Sequence, residues 1–302
     1  MKIVFFGTPD FAVPSLEILH KSNHEVAAVV TAPDKQRGRG RKVSYTAVKE
    51  FAVENNLPVL QPEKMKDPEF IAALQKTGAD LFVIVAFRIL PPEVYKMPQF
   101  GSFNLHGSIL PKYRGAAPIQ WSIINGDKET GVTTFFLQDK VDTGNIITIE
   151  KLQIKPEDNL GSIYYLLCDI GAELVLKTVN SIEEGSVETK VQDESLATPA
   201  PKITKETCLI DWNKPAEEIN NLVRGLSPVP GAYFIHNEKT YKVYKSVVSE
   251  EFPELKPGEI KETKKDVFVG TTDKNLQLLE IQPEGRKRMD ADAFLRGYSF
   301  HK

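Results

Sequence analysis

The stretch LFVIVAF, from Leu81 to Phe87, is an apolar run without a polar interruption. Its β-branched and aromatic residues favour a strand that is buried on both faces, and it is far too short to cross a bilayer. Two similar runs, Ile3–Phe6 and Val26–Thr31, precede it. Strands of this kind are typical of a parallel sheet that helices cover on both faces.

Amphipathic stretches alternate with these runs and predict the covering helices. Beyond them, GSFNLH predicts another strand, and GVTTFFLQ and NIITIEKLQI flank the turn DKVDTG as a hairpin. We therefore expect residues 1–183 to form an α/β domain with a Rossmann-like, mostly parallel sheet. The predicted helices lie near Ser15–Lys21, Ala47–Asn55, Glu69–Lys76 and Leu160–Ile182.

The second part of the chain has a different pattern. Residues 184–204 contain few large apolar residues and two close prolines, which predicts a linker. In residues 205–302 one helix, near Ala216–Gly225, is followed by short strand-like runs with turn signals between them. This pattern predicts a small β-barrel of the OB-like kind. Its runs are AYFIH, TYKVYKSVV, GEIKE, DVFVG and NLQLLEI.

The charge balance limits the function classes. The chain has 38 Lys and Arg against 41 Asp and Glu, a net charge of −3, so it lacks the overall basic excess that is usual for nucleic-acid binders. Residues 205–302 are neutral. A polyanion would have to bind a local patch, and the stretch PDKQRGRGRK offers one. Composition leaves open whether this loop is merely solvated or contacts phosphates.

Two further features indicate a reduced, cytoplasmic protein. Cys168 and Cys208 form neither a CxxC metal motif nor a disulfide framework. The start MKIVFFGTPD leaves no room for a signal peptide, so we expect none.

The same start argues against a dinucleotide site, because Gly7 stands without the rest of G-x-G-x-x-G and Asp10 would repel a phosphate. We interpret GTPDF as a tight turn between strand and helix.

The stretch NLHGSILPKYRGAAP, from Asn104 to Pro118, holds the candidate catalytic residues. Asn104 and His106 are two apart at a strand end, so they share one face and present an amide donor and a titratable imidazole. Ser108 lacks the G-x-S-x-G context of a nucleophile, and the spacing of the five histidines supports no metal site. A purely structural role for His106 remains open at this point.

An Asn, a His and an Asp without a nucleophile suit acyl transfer between two bound substrates. An amine of one substrate would attack a carbonyl of the other, and Asn104 and protonated His106 would stabilise the oxyanion. Asp142, in DKVDTG, would favour the charged imidazole or help to move the proton from the amine to the leaving group.

The long stretch FNLHGSILPKYRGAAPIQWSIINGDKETGVTTFFLQDKVDTGNI resembles the core of the folate-dependent formyltransferases. The resemblance implies that Asn104, His106 and Asp142 form the catalytic set. It also implies that 10-formyltetrahydrofolate is the co-substrate, which leaves as tetrahydrofolate, and that no metal is needed. The segment that lies against the folate then consists of Ser108, Ile109, Leu110 and Pro111, with Ile109 in place of the family's leucine.

Three stretches resemble the branch of this family that formylates initiator methionyl-tRNA: FFGTPDFAVPSLEIL, PDKQRGRGRK and PAPKITKETCLIDW. The resemblance implies that the basic loop enters the acceptor end of the tRNA and that the C-terminal domain binds tRNA. We also expect a monomer without membrane contact. The alternatives are an amino-sugar N-formyltransferase, whose relatives share the Trp212–Ala216 pattern, and a tRNA- or folate-binding protein without catalysis. The tRNA-binding residues of the loop would be Arg37, Arg39, Arg41 and Lys42.

Overall fold

The structure, a computed structural model, describes residues 1–37 and 42–301, and of residues 35–37, 42 and 43 it describes the backbone alone. The chain folds into two compact units, each built from more than one stretch. The first unit contains residues 1–118, 131–152 and 164–199, and the second contains residues 119–130, 153–163 and 200–302. The sequence-based boundaries 1–183, 184–204 and 205–302 stay a prediction.

Helices separate many of the strands up to Glu183. The strands are β1 (Lys2–Gly7), β2 (Glu25–Val30), β3 (Lys35–Arg37), β4 (Lys42–Ser44), β5 (Val59–Leu60), β6 (Leu81–Val85), β7 (Ser102–His106), β8 (Arg114–Gly115), β9 (Glu129–Phe136), β10 (Ile146–Gln153) and, after a gap, β11 (Pro199–Ala200). The helices are α1 (Val13–Lys21), α2 (Ala47–Glu54), α3 (Pro68–Thr77), α4 (Pro92–Tyr95), α5 (Pro118–Ile124) and α6 (Leu160–Glu183).

Seven strands form one sheet in the order β10-β9-β7-β6-β1-β2-β5. The strands from β5 to β7 run parallel, and β9 joins β7 antiparallel. The apolar runs at the centre are fully buried, as Phe5 and Phe6 show. The prediction of a Rossmann-like, mostly parallel sheet is therefore confirmed. Strands β9 and β10 are neighbours in the sheet, as the predicted hairpin requires.

Local sequence explains where the helices begin and end. The Thr46 hydroxyl accepts a hydrogen bond from the Lys49 amide at 3.0 Å and caps α2. Helix α3 begins with capping Asp67 and Pro68, and Gly78 ends it in a left-handed conformation that glycine adopts without strain. The predicted turn at GTPDF is confirmed, because a 3-10 turn over Asp10–Ala12 connects β1 to α1.

The second unit contains an antiparallel sheet in the order β12-β13-β16-β15-β14, with β17 beside β16. Alternating apolar residues of these strands, such as Val267, Leu276 and Leu278, are fully buried. The sheet curls into a half-barrel, which agrees with the predicted small barrel. Its elements are α7 (Ala216–Leu226), β12 (Ala232–His236), β13 (Lys239–Ser249), β14 (Ile260–Glu262), β15 (Val267–Gly270), β16 (Asn275–Pro283), β17 (Met289–Asp290) and α8 (Ala291–Gly297).

Candidate active site

The candidate site lies where β7 ends. In the sheet register Asn104 stands beside Ile84 of β6 and Phe135 of β9. Leu105 is buried and packs against Gly171 of α6, so its neighbours Asn104 and His106 face the other side of the sheet. Within the described part of the chain, no hydrogen bond occupies the side-chain amide of Asn104, which leaves its N–H groups available to a ligand.

The two ring nitrogens of His106 have different partners. Nε2 lies 2.8 Å from the main-chain carbonyl oxygen of Tyr113. Because a carbonyl oxygen only accepts, Nε2 carries a hydrogen and donates it. Nδ1 lies 4.0 Å from Oδ2 of Asp142, and the imidazole is 6 % exposed. Nδ1 therefore faces a carboxylate, and Nε2 is bound to the backbone.

Asp142 lies in the turn between β9 and β10, with a positive φ of 55°. Its Oδ2 accepts a hydrogen bond of 2.9 Å from the Gly115 amide. Two residues later only a glycine fits, because a Cβ at Gly144 would overlap the carbonyl oxygen of Phe136. The turn thus brings a carboxylate from one hairpin to an imidazole on the adjacent strand.

This arrangement matches the chemistry of acyl transfer. Asn104 offers N–H groups, and a protonated His106 offers a charged N–H, so the two can stabilise the negative oxygen of a tetrahedral intermediate. The carboxylate of Asp142 lies 4.0 Å from Nδ1, where it can attract a positively charged imidazole. The structure brings together Asp142 and His106, which the sequence analysis named as one catalytic set with Asn104.

Two of the four predicted folate-binding residues turn their side chains inward. Ser108 is fully buried, and its hydroxyl donates to the Lys112 carbonyl oxygen at 2.6 Å. Leu110 is buried beside Phe135. Ile109 and Pro111 are partly exposed. A ligand at this segment would therefore meet the backbone and the side chains of Ile109 and Pro111.

The sequence analysis missed the residues that surround this loop. Arg114 donates two hydrogen bonds to the Glu194 carboxylate, at 2.9 and 2.7 Å, and this interaction holds the pKa of Glu194 below its usual range. The Tyr113 amide donates to the Thr198 hydroxyl at 2.9 Å. Gln192 contacts both Arg114 and the Asp142 turn. These partners lie in the stretch predicted as a linker, where nothing in the composition marks them.

Two side chains near the turn after β1, Tyr164 and Cys168, have raised pKa values. The Tyr164 hydroxyl donates to Oδ1 of Asp10 at 2.6 Å, and burial followed by this carboxylate raises the pKa of the phenol. Burial, with a smaller contribution from Asp10, raises the pKa of the Cys168 thiol to about 12. A thiol with this pKa remains protonated at neutral pH and is a poor nucleophile.

The predicted basic loop is only partly described. Arg39 and Arg41 lie outside the described residues, and of Arg37 and Lys42 the structure gives the backbone, which pairs β3 with β4. The start of the hairpin is anchored at Asp34. Its carboxylate accepts from Gln61 at 2.8 Å and from Lys49 at 2.5 Å, and these bonds lower the pKa of Asp34.

Among the residues that the structure describes, no group of three or more His, Cys, Asp and Glu side chains is placed to hold a metal ion. No helix in the described ranges has the length and apolar character that a membrane crossing requires. A cleft of about 510 Å³ opens beside the β9–β10 turn, between Lys96, Phe136 and Lys140, and it contains none of the predicted site residues.

Comparisons with known proteins show the family of this chain. The formyl transferase family model matches residues 1–179, and the model of the formyl transferase C-terminal domain matches residues 202–299. The chain belongs to the formyl transferase family, which confirms the resemblance drawn from its motifs.

Similar proteins of known name belong to one branch or another of this family. A methionyl-tRNA formyltransferase of Flavobacterium johnsoniae is 45% identical over 305 residues, which cover 99% of this chain and 97% of that protein. One of Bacteroides fragilis is 46% identical over 308 residues, covering 99% and 95%. A solved sugar 3N-formyl transferase, WlaRD, has a TM-score of 0.69 at 23% identity, covering 95% of this chain and 99% of the other, and that likeness shows the fold.

Proposed function

We propose that this protein is a methionyl-tRNA formyltransferase, which transfers the formyl group of 10-formyltetrahydrofolate to the amino group of methionine on initiator methionyl-tRNA. The observation that carries the proposal is near-full-length identity to proteins of that name, 45% and 46% in two cases. The His106–Asp142 pair and the Asn104 amide, which no described partner occupies, support the same chemistry.

The reaction needs an attacking amine, an oxyanion site and a proton acceptor. The methionine nitrogen attacks the formyl carbon, and the carbonyl oxygen becomes negative as the carbon turns tetrahedral. Asn104 and His106 donate to that oxygen. The bond from the formyl carbon to the folate nitrogen then breaks, and a proton passes from the amine to that nitrogen, so that tetrahydrofolate leaves. The Asp142 carboxylate stabilises the positive charge on His106 throughout.

The remaining assignments are part of the same proposal. Residues 108–111 would present backbone and partly exposed side chains to the folate. The loop residues Arg37, Arg39, Arg41 and Lys42 would contact the tRNA acceptor end, and the domain of residues 205–302 would bind more of the tRNA. The enzyme would act in the cytoplasm as a monomer and without a metal.

The test is a transfer assay with several acceptors. The protein is incubated with 10-formyltetrahydrofolate and methionyl-tRNA, and mass spectrometry follows the formyl group on methionine released from the tRNA. We expect transfer to methionyl-tRNA and none to a nucleotide-linked amino sugar. Replacing the donor with 5-formyltetrahydrofolate tests the position of the formyl group. Transfer to the sugar alone would overturn the proposal, and tRNA binding without transfer would indicate a binding protein.

A further inference from the structure

A buried glutamine joins the two halves of the candidate site. Gln192 is 5 % exposed, and its Nε2 donates to the Asp142 carbonyl oxygen at 2.9 Å and to the Gly144 carbonyl oxygen at 2.8 Å. Its Oε1 accepts from Arg114, from Nε at 3.1 Å and from Nη2 at 2.7 Å. The amide thus uses both of its hydrogens and both acceptor positions of its oxygen.

The bonds to Asp142 and Gly144 hold a backbone conformation that is otherwise unfavourable. A φ of 55° is uncommon for a residue with a side chain, and such residues persist only where their surroundings hold them. Gln192 binds the carbonyl groups on both sides of Thr143, so it holds the turn that carries the Asp142 carboxylate. The 4.0 Å separation between Asp142 Oδ2 and His106 Nδ1 depends on that turn.

Arg114 fixes the other side of the same pair. Its two-pronged interaction with Glu194 orients the guanidinium, and its main-chain amide donates to the Thr198 carbonyl oxygen at 2.9 Å. The preceding residue, Tyr113, provides the carbonyl that orients His106 through Nε2. Movement of Arg114 would therefore disturb the imidazole as well as the amide of Gln192.

We propose that Gln192, held by Arg114, is a positioning residue that sets the geometry of the His106–Asp142 pair in catalysis. This inference rests on the proposed formyl transfer. Gln192 acts through Asp142 and contacts no reacting atom. If so, its removal slows the chemical step and leaves substrate binding almost unchanged, because misplacing a catalytic group by about 1 Å costs on the order of a hundredfold.

The test is a double-mutant cycle. Gln192→Met keeps the length of the side chain and removes all four hydrogen bonds. In single-turnover assays we expect its rate to fall by about tenfold to a hundredfold. In steady-state assays KM for both substrates should stay within about threefold of the wild type. In an Asp142→Ala background the same change should cost little more, because the group that it positions is already absent. Gln192→Asn retains the amide on a shorter side chain, so its rate should lie between those of the wild type and Gln192→Met. It replaces Gln192→Met in the test if that variant does not fold.

Gln75→Met is the control, since this exposed glutamine of α3 lies in the first unit and outside residues 205–302. Its rate should equal that of the wild type. A normal rate for Gln192→Met and Gln192→Asn would overturn the positioning role and leave the proposed function standing. The same holds if the rate loss of the double mutant equals the product of the losses of Gln192→Met and Asp142→Ala. A wild type that transfers no formyl group would instead overturn the proposed function, and this inference with it.

Discussion

At His106 the structure separates two roles that a single imidazole must combine. Nε2 donates to the Tyr113 carbonyl oxygen, which orients the ring, and Nδ1 faces Asp142. Asn104 complements the ring with an amide that no described partner occupies. A substrate oxygen beside this face would therefore meet an imidazole whose orientation is settled before binding, and such preorganisation makes oxyanion stabilisation effective.

Removing the amide of Asn104 should slow the chemistry. We expect Asn104→Ala to lower kcat on the order of a hundredfold or more, with little change in KM, because the donor acts on the oxyanion and less on the ground state. Initial rates with methionyl-tRNA as acceptor measure this. Asn180→Ala is the control, since that amide lies on the exposed side of α6 and contacts His24. A large rise in KM at constant kcat would show that Asn104 only binds substrate.

The Arg114–Glu194 pair predicts a pH dependence of stability. Hydrogen bonding to Arg114 lowers the pKa of Glu194 below its ordinary value of 4.5 in the folded state. The stabilisation is then complete above that ordinary value and is lost as the pH falls through the lowered pKa. Glu194→Gln should therefore be less stable than the wild type at pH 7, and the difference should shrink towards acid pH.

Denaturant unfolding at pH 7 and at pH 4 and below would measure this difference. Glu184→Gln, just beyond α6 and exposed, provides the comparison. A difference between Glu194→Gln and the wild type that grows on acidification would contradict the assigned pairing.

Among the elements, the β9–β10 turn depends most on a single small residue. A Cβ at position 144 would overlap the Phe136 carbonyl oxygen, which is backbone and cannot rotate away. Gly144→Ala must therefore shift the turn that carries Asp142. We expect kcat to fall on the order of a hundredfold, together with a loss of about 1–3 kcal/mol in the free energy of unfolding.

The control for this element is Gly297→Ala in α8, where an added Cβ meets no atom within 4 Å and φ is ordinary. That change should leave both activity and stability close to the wild type. Unimpaired turnover in Gly144→Ala would mean that the turn tolerates displacement, and the role assigned to Asp142 would then be wrong.

The regular elements were largely predictable from the sequence, because hydrophobic periodicity is a local property. AYFIH predicted β12, and α6 extends the predicted Leu160–Ile182 by one residue. The short helices α4, α5 and α8 were missed, since one or two turns leave too few residues for a period to show. Gln192 was missed for another reason. Its partners are a distant arginine and two backbone carbonyls, and backbone groups leave no mark in a sequence.

At the scale of the whole molecule, the basic loop is the feature expected to separate tRNA from other acceptors. The chain carries a net charge of −3, so attraction of a polyanion has to be local. Arg39→Ser combined with Arg41→Ser should reduce kcat/KM for methionyl-tRNA about tenfold or more and flatten its salt dependence. Binding of the folate donor should be unchanged, as titration calorimetry would measure.

Substituting Lys151→Ser and Lys155→Ser together removes the same number of charges elsewhere and should have a smaller effect. Equal losses in folate binding and in tRNA use after the loop substitutions would show that the loop supports the fold, with no role in acceptor choice.

The bonds that Gln192 makes also determine when the proposed site can assemble during synthesis of the chain. Arg114 and Gln192 are 78 positions apart, and the Tyr113–Thr198 contact spans 85. A nascent chain made from its amino end therefore acquires Asn104, His106 and Asp142 well before the segment that aligns them has left the ribosome. The proposed site would therefore be completed only late in translation. A chain released before residue 192 would contain every catalytic side chain and lack the contacts that assemble them.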